Sequence, residues 1–125
     1  MRPLTELAAE ISEAATLVAS AESVVVLTGA GISTDSGIPD FRSENGLYHA
    51  KTVYGYPPEQ LISRSFFDRH QPLFYKYYRE NLIWPDAEPN ALHRALATLE
   101  DRGKLAGIVT QNIDGLHQKA GSRVV

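Results

Sequence analysis

Two short, continuous apolar runs constrain the fold of this chain more than any other feature of its sequence. The first covers residues 24–27 (VVVL) and the second covers residues 105–110 (LAGIVT), and each ends abruptly in a glycine-rich or polar loop. Runs of this kind, rich in β-branched residues, are typical of strands buried on both faces of a parallel sheet. The sequence therefore predicts two parallel strands, each followed by a loop at its carboxyl end.

Helical patterns surround and separate the two runs. Apolar side chains recur at helical spacing over residues 5–20, which predicts an amphipathic helix packed on the sheet. Pro57-Pro58 and Pro72 each suit the first turn of a helix, and residues 90–101 followed by Gly103 predict a further helix with a glycine stop. This order predicts an α/β fold, a Rossmann-like doubly wound parallel sheet with an inserted small helical module.

The loop after the first run, residues 29–42 (GAGISTDSGIPDFR), is the most informative stretch. Glycines directly after a buried strand let backbone N–H groups approach a pyrophosphate closely. The strict dinucleotide fingerprint is not met, because Thr34 stands where the third glycine belongs, and a Gly-Lys-Ser/Thr ending is missing as well. The spacing favours a nucleotide loop, and the alternative is a strand-to-helix turn that uses glycine only for packing.

Three residues at the end of this loop add chemistry to it. Asp40, Phe41 and Arg42 place an acid, an aromatic face and a guanidinium side by side. An aromatic ring and an arginine can flank a planar heterocycle and a phosphate together. The alternative is that Phe41 is a core residue and that Asp40 and Arg42 form a local ion pair.

Composition excludes several classes of function. The net charge is −3 and no basic run occurs, which argues against direct binding of nucleic acid. There are no cysteines, so this chain supplies neither a disulfide scaffold nor a thiolate zinc site. No apolar stretch is long enough to span a bilayer, and we expect no membrane partner and a cytoplasmic location.

Two long motifs in the right order identify a family resemblance. Residues 29–48 (GAGISTDSGIPDFRSENGLY) closely resemble the cofactor-binding loop of the sirtuin family, and residues 111–121 (QNIDGLHQKAG) resemble its second signature. Pro89-Asn90 followed by His93 is similar to the family pattern between them. The resemblance implies that residues 1–125 are part of a sirtuin catalytic domain. Residues 1–43 and 86–125 would then belong to the Rossmann-like lobe, and residues 44–85 to the end of the cofactor loop and the helical module.

The resemblance also implies an activity. Sirtuins are NAD-dependent protein-lysine deacylases, which transfer the acyl group to ADP-ribose and release nicotinamide, so NAD is a co-substrate and an acylated protein or peptide is the partner. Asn112 would be a catalytic residue that bonds the nicotinamide ribose and holds a water, and Asp114 would accept a hydrogen bond from the carboxamide. The implied cofactor-binding residues are Gly29, Ala30, Gly31, Ser33, Thr34, Asp40, Phe41, Arg42, Tyr48, Gln111, Asn112, Ile113 and Asp114.

Two parts of the family pattern do not occur in this sequence. The catalytic histidine of the family lies in a Leu-His-Gly segment, which we expect beyond Val125, and the four zinc-binding cysteines are missing. We therefore expect zinc in the full-length protein, no metal ligands in this chain, and an inactive fragment. His117 belongs to the second signature and is expected to be structural, and His49, His70 and His93 are expected to be surface or packing residues. The alternatives are an NAD- or ADP-ribose-binding module and a mono-ADP-ribosyltransferase.

One short run bears on the acyl group. Family members that favour succinyl- or malonyl-lysine carry a tyrosine and, three residues later, an arginine. Here Tyr75 matches the tyrosine, Tyr78 occupies the arginine position and Arg79 is one residue late. One residue is about 100° of rotation on a helix, so the resemblance predicts uncharged acyl groups. The alternative is that the tyrosine cluster only packs a core.

Overall fold

The computed structural model describes residues 4–40 and 51–125 of the chain. The structure contains helices and a two-stranded sheet, and each strand predicted from the sequence is present. In chain order the elements are α1 (Leu4–Ser20), β1 (Val24–Thr28), a 3₁₀ helix (Ala30–Ser36), α2 (Pro58–Leu61), α3 (Arg64–Arg69), α4 (Gln71–Asn81), α5 (Ala91–Asp101), β2 (Leu105–Thr110) and α6 (Leu116–Lys119).

The two strands pair in parallel, as predicted. Val24 of β1 lies opposite Leu105 of β2, and Thr28 lies opposite Thr110, with one irregularity in register just after Val24. The carboxyl ends of both strands therefore meet at one edge of the sheet. This pairing brings the glycine-rich loop and the second signature together.

Only one face of the sheet is covered in the described part of the chain. Leu96 of α5 packs against Leu105 and Ile108, and Val24 and Val26 extend this core. The prediction that both strands are buried on both faces is wrong here. Alternate residues on the opposite face are exposed, by 67% for Val25, 72% for Leu27 and 58% for Val109, because no described element covers them.

Helix α1 forms as predicted, but its apolar side does not pack on the sheet. Leu7 is 45% exposed and Ile11 is 60% exposed. An open groove of about 660 Å³ separates this side of α1 from Leu99 and Lys104. The Nζ atom of Lys104 donates hydrogen bonds to two carbonyl oxygens at the end of the helix, those of Ala19 at 2.5 Å and Ala21 at 2.8 Å. Hydrogen bonds from Lys104 therefore hold one end of α1, in place of the predicted packing of its apolar side on the sheet.

The helical module has a core of its own, built from aromatic side chains. Tyr54, Leu61, Phe66 and Tyr77 are buried together, and the rings of Tyr54 and Tyr77 meet edge to face at 5.1 Å. Part of the tyrosine cluster is thus core packing, whereas Tyr75 is 46% exposed. The last helix of the module, α4, ends at Asn81.

Both ends of α5 are capped. The side chain of Asn90 accepts hydrogen bonds from the backbone N–H groups of Leu92 and His93, and Nδ1 of His93 accepts one from the N–H of Asn90. At the other end, Gly103 has a φ of 72° and donates to the carbonyl of Glu100, while Lys104 donates to Leu99. This is the Schellman arrangement. It fixes where α5 ends and β2 begins.

We predict that Gly103→Ala lowers the free energy of unfolding by about 1–2 kcal/mol, because an L residue at positive φ is strained. An added Cβ at Gly103 meets no atom within 4 Å, so the cost is conformational. Gly31→Ala is the matched control, since its Cβ also meets no atom and its φ is not positive. Urea denaturation of both variants measures the difference. Equal losses in the two variants would contradict the prediction.

Candidate functional site

The site lies where the two strands end. Thr28 closes β1 and the chain continues into Gly29 and the 3₁₀ helix, whereas Thr110 closes β2 and leads into residues 111–114. The backbone N–H of Gln111 donates to the carbonyl of Thr28 at 3.1 Å and joins the two loop entrances. Ligands of open α/β sheets bind outside the carboxyl ends of the strands. The described fold thus supplies the usual location for a nucleotide site.

The glycine-rich loop continues into the 3₁₀ helix Ala30–Ser36. Gly37 ends this helix with a φ of 83°, and its N–H donates to the carbonyls of Ser33 and Thr34. A Cβ added at Gly31 would meet no atom within 4 Å, whereas one at Gly29 would lie 3.7 Å from Oε1 of Gln111. Gly31 therefore leaves space beside the loop, which fits the predicted approach of a ligand to its backbone.

A hydrogen-bond network connects the two predicted signatures. Nδ2 of Asn112 donates to the carbonyl of Gly29 at 2.9 Å and to Oγ of Ser33 at 3.2 Å. Oγ of Ser33, which is 1% exposed, donates to Oδ2 of Asp114 at 2.6 Å. Oδ1 of Asp114 accepts from the N–H of Leu116 at 3.0 Å and so begins α6. The network fixes the side chains of Asn112 and Asp114 relative to the glycine-rich loop.

These hydrogen bonds determine which donors and acceptors of the network remain available to a ligand. Both N–H groups of the Asn112 amide are used within the protein, so its carbonyl oxygen remains as an acceptor. The hydroxyl of Ser33 donates its proton to Asp114. The role of Ser33 near a pyrophosphate stays a prediction. Thr34 is exposed and donates to the carbonyl of Gly31 at 3.0 Å.

A cleft of about 170 Å³ opens beside this network. Its walls bring together six of the predicted site residues from the loops (Ala30, Ser33, Gln111, Asn112, Ile113 and Asp114) and a wall from the end of the helical module. The full lining is Ala30, Ser33, Ile38, Pro39, Asn81, Leu82, Trp84, Gln111, Asn112, Ile113 and Asp114. An apolar cleft with a few converging amide and carboxylate groups is typical of a site for a small, flat ligand.

Sequence reasoning missed five of the lining residues. Ile38 and Pro39 lie within the glycine-rich motif, but their apolar side chains carried no chemical signal. Asn81 ends α4, Leu82 and Trp84 come directly after it, and none of the three belongs to a motif. The one available signal was Trp84, the single tryptophan of the chain. Among the predicted residues, Phe41, Arg42 and Tyr48 lie outside the described ranges.

Asn81 is held at the cleft by the helical module. Its Nδ2 donates to the hydroxyl oxygen of Tyr54 at 2.8 Å and to the carbonyl of Tyr77 at 3.1 Å. The Tyr54 hydroxyl in turn donates to Oε2 of Glu80 at 2.5 Å. The wall of the cleft opposite the strand ends is thus fixed by the aromatic core of the module.

A second polar layer lies beneath the network. Thr28 and Thr110 join through their hydroxyls at 2.8 Å, and the N–H of Asn112 donates to Oγ1 of Thr110 at 3.1 Å. Nε2 of His117 lies 2.9 Å from Oγ1 of Thr28. The expected structural role of His117 is therefore met by a buried contact to the strand end. His70 is exposed and contacts Phe66 with its ring, and His49 is outside the described ranges.

Asn90 connects α5 to the glycine-rich loop. Its Nδ2 donates to the carbonyl of Ile32 at 2.7 Å and to Oγ of Ser36 at 3.0 Å, while its Oδ1 caps the helix. One side chain therefore positions both the 3₁₀ helix and α5. This gives a structural meaning to the Pro-Asn pattern between the two signatures.

Within residues 4–40 and 51–125, no group of three or more His, Cys, Asp or Glu side chains is placed to hold a metal ion. The sequence contains no cysteine, so the residues present do not fit a thiolate zinc centre. Over the same ranges, no helix has the length and apolarity needed to cross a bilayer.

Burial lowers the pKa of both His93 and His117 from the ordinary value of 6.5, and for His93 the neighbouring His117 and Arg94 add to this. Asp114 opposes the shift at both rings. Below pH 6.5 the unfolded chain therefore binds more protons than the folded one. We predict full stability above this pH and a loss as pH falls through the lowered pKa values, with a limiting slope of about 1.4 kcal/mol per pH unit per histidine.

Urea denaturation between pH 7.5 and 5.5 measures this slope. His117→Gln is expected to reduce the slope, because one titrating ring is removed, and His70→Gln is the control with an exposed ring. The same slope in both variants would show that the buried rings do not carry the effect.

Comparison with known proteins gives a consistent result. The sequence profile of the Sir2 family matches residues 29–125. A protein named NAD-dependent protein deacetylase from Clostridium acetobutylicum is 55% identical over 116 residues, and one of the same name from Cutibacterium acnes is 53% identical over 103 residues. The matches cover 93% and 82% of this chain but 47% and 42% of those proteins. The chain spans about half the length of the curated relatives it matches.

Solved structures agree in fold. One, described as showing the structural basis for the mechanism and regulation of Sir2 enzymes, superposes with a TM-score of 0.80 at 46% identity and covers 93% of this chain and 44% of that one. A Sir2 variant with a deacetylated p53 peptide and 3′-O-acetyl ADP-ribose gives 0.78 at 43% identity, covering 92% and 45%. Sir2Tm bound to a propionylated peptide gives 0.73 at 38% identity, covering 92% and 43%.

Proposed function

Because the chain belongs to the Sir2 (sirtuin) family, we propose that it forms the NAD-facing part of a protein-lysine deacetylase. That enzyme transfers the acyl group of a modified lysine to ADP-ribose and releases nicotinamide. The family membership and the Rossmann-like fold predicted from the sequence are confirmed. The observation that carries the proposal is the network of Asn112, Ser33 and Asp114, which joins both family signatures at the wall of one cleft.

The residues of the cleft fit the nicotinamide half of NAD. A carboxamide needs an acceptor for its N–H groups and a donor for its oxygen. The Asp114 carboxylate and the backbone of the loop around Ile113 are the groups of this chain that suit these needs. The apolar walls, including Ile38, Leu82 and Trp84, suit a planar ring. The open space beside Gly31 suits the pyrophosphate.

When bound, NAD supplies a ribose carbon from which nicotinamide can leave. The residues of this chain bind and orient it and keep water away. Asn112 offers its carbonyl oxygen to a ribose hydroxyl or to a water, because both of its N–H groups are already used. The apolar wall excludes solvent from the reacting region. The zinc expected elsewhere in the protein has no ligands in this chain and takes no part here.

We predict that Asp114→Asn in the full-length protein lowers kcat/KM for NAD by about 10- to 100-fold, as expected for the loss of a charged hydrogen-bonding group. Asp68→Asn is the matched control, since Asp68 is exposed and pairs only with Arg64 on the surface of α3. Release of nicotinamide in the presence of an acetyl-lysine peptide measures the rates. Equal rates in the two variants would remove Asp114 from the site.

We further propose that uncharged acyl groups are the preferred substrates. Solved relatives include structures with acetylated and with propionylated peptide. The lining of the cleft contains no arginine or lysine within the described residues, and Tyr75 is not part of it. Hydrolysis of acetyl-lysine and succinyl-lysine peptides of identical sequence tests this. We expect at least a tenfold preference for acetyl, since none of the described lining residues carries a positive charge that could pair with a succinyl carboxylate. Faster succinyl hydrolysis would contradict it.

The experiment that decides the function is mass spectrometry of an acetylated peptide incubated with NAD and the full-length protein. Loss of the acetyl group together with formation of O-acetyl ADP-ribose supports deacetylation. Addition of ADP-ribose to the peptide would indicate a mono-ADP-ribosyltransferase, and neither change, with retained ADP-ribose binding, would indicate a binding module. Inactivity of residues 1–125 alone, the domain boundaries and the cytoplasmic location remain predictions.

A further inference from the structure

Two buried histidines lie beneath the site and are not used by the proposed chemistry. His93 of α5 is 0% exposed and His117 of α6 is 1% exposed. Their rings meet edge to face with centroids 5.0 Å apart and an interplanar angle of 64°. Each ring carries one nitrogen with a defined partner and one without a partner among the described residues.

The defined partners specify the tautomer of each ring. The N–H of Asn90 donates to Nδ1 of His93, so the proton of this neutral ring lies on Nε2. The hydroxyl of Thr28 donates to Thr110. Because this hydroxyl has a single proton, Nε2 of His117 must be the donor in its contact to Thr28. Both rings therefore carry Nε2–H, and the free atoms are a donor on His93 and an acceptor on His117.

A third buried polar atom without a partner belongs to the same region. Ser122 is 5% exposed, and its backbone N–H donates to the carbonyl of His117 at 3.0 Å. Over the described residues, Nε2 of His93, Nδ1 of His117 and Oγ of Ser122 are the buried side-chain atoms that lack a hydrogen-bond partner. One of these atoms belongs to His117, and the other two belong to residues that contact His117. A buried water typically makes about three hydrogen bonds to such groups.

We propose that these three atoms bind one internal water and that His117 is a positioning residue for Asn112. The water accepts from His93, donates to His117 and bonds to Ser122. His117 then donates to Thr28, Thr28 donates to Thr110, and Oγ1 of Thr110 accepts the backbone N–H of Asn112. A buried relay thus runs from the N-cap of α5 to the residue that faces the ligand.

The water and the tautomers are tested without any assay of activity. In the full-length protein, two-bond ¹H–¹⁵N spectra at pH 7.5 are expected to show the Nε2–H tautomer for both rings. A high-resolution crystal structure is expected to show one water within hydrogen-bond distance of all three atoms. An Nδ1–H tautomer at His117, or a dry site, would overturn the relay whether or not the protein is a deacetylase.

The positioning role is tested by binding of ADP-ribose, and this arm alone rests on the proposed function. His117→Leu and Thr28→Val each cut the relay and are expected to weaken binding by about 3- to 10-fold, the effect of one neutral hydrogen bond. His117→Gln keeps a donor near the position of Nε2 and is expected to restore most of the affinity. His70→Leu is the matched control for loss of an exposed histidine.

Measuring the KM for NAD together with the fraction of folded protein distinguishes a positioning role from a loss of stability. In Thr28→Val, the KM for NAD is expected to rise while the fraction of folded protein is unchanged at the assay temperature. If His117→Leu does not fold, His117→Gln and Thr28→Val decide the question. Affinity equal to that of the unmodified protein in Thr28→Val, or failure of glutamine to restore binding, would show that His117 only packs.

Discussion

The parallel pairing of β1 and β2 is the interaction on which the rest of this structure depends. Antiparallel strands would send the two polar loops to opposite edges, whereas parallel strands bring them to the same edge. Helix α5, capped by Asn90 and ended by Gly103, provides the crossover that this arrangement needs. The hydrogen bond between Thr28 and Thr110 then closes the pair at its carboxyl end, so that each loop starts from a fixed point.

The site is rigid on the protein side before any ligand enters. Asn112 is bonded through its backbone to Thr110 and through its side chain to Gly29 and Ser33. Groups held in this way need little reordering when they meet a ligand, which preserves binding free energy. The same bonds restrict the chemistry, because they leave the carbonyl oxygen of Asn112 as the group that can act outward.

The sequence predicted the strands and the helices well, and it predicted their packing less well. The roles of the site residues stay predictions. Apolar runs and glycine and proline positions mark strands and helix ends locally, so the strands and Gly103 were placed correctly. Whether the apolar side of α1 and the outer face of the sheet are covered depends on neighbouring elements and not on a local sequence pattern. Leu7 on α1 and Val25 on the sheet are exposed. The sequence did not predict the wall made by Asn81, Leu82 and Trp84, because the packing of the module brings these residues to the cleft. The relay through His117 was equally hidden, since hydroxyl and imidazole contacts leave no periodic pattern.

The attachment of Asn81 to Tyr54 and Tyr77 divides the cleft between two independent structural units. One wall is built from the loops that follow the two strand ends, and the other from the end of an aromatic helical insert. Substitutions inside the insert can therefore change the width and polarity of one wall while the opposite wall keeps its geometry. Evolution, or a protein engineer, can change the shape of the cleft by repacking tyrosines and leucines of the insert while the loops at the strand ends stay the same.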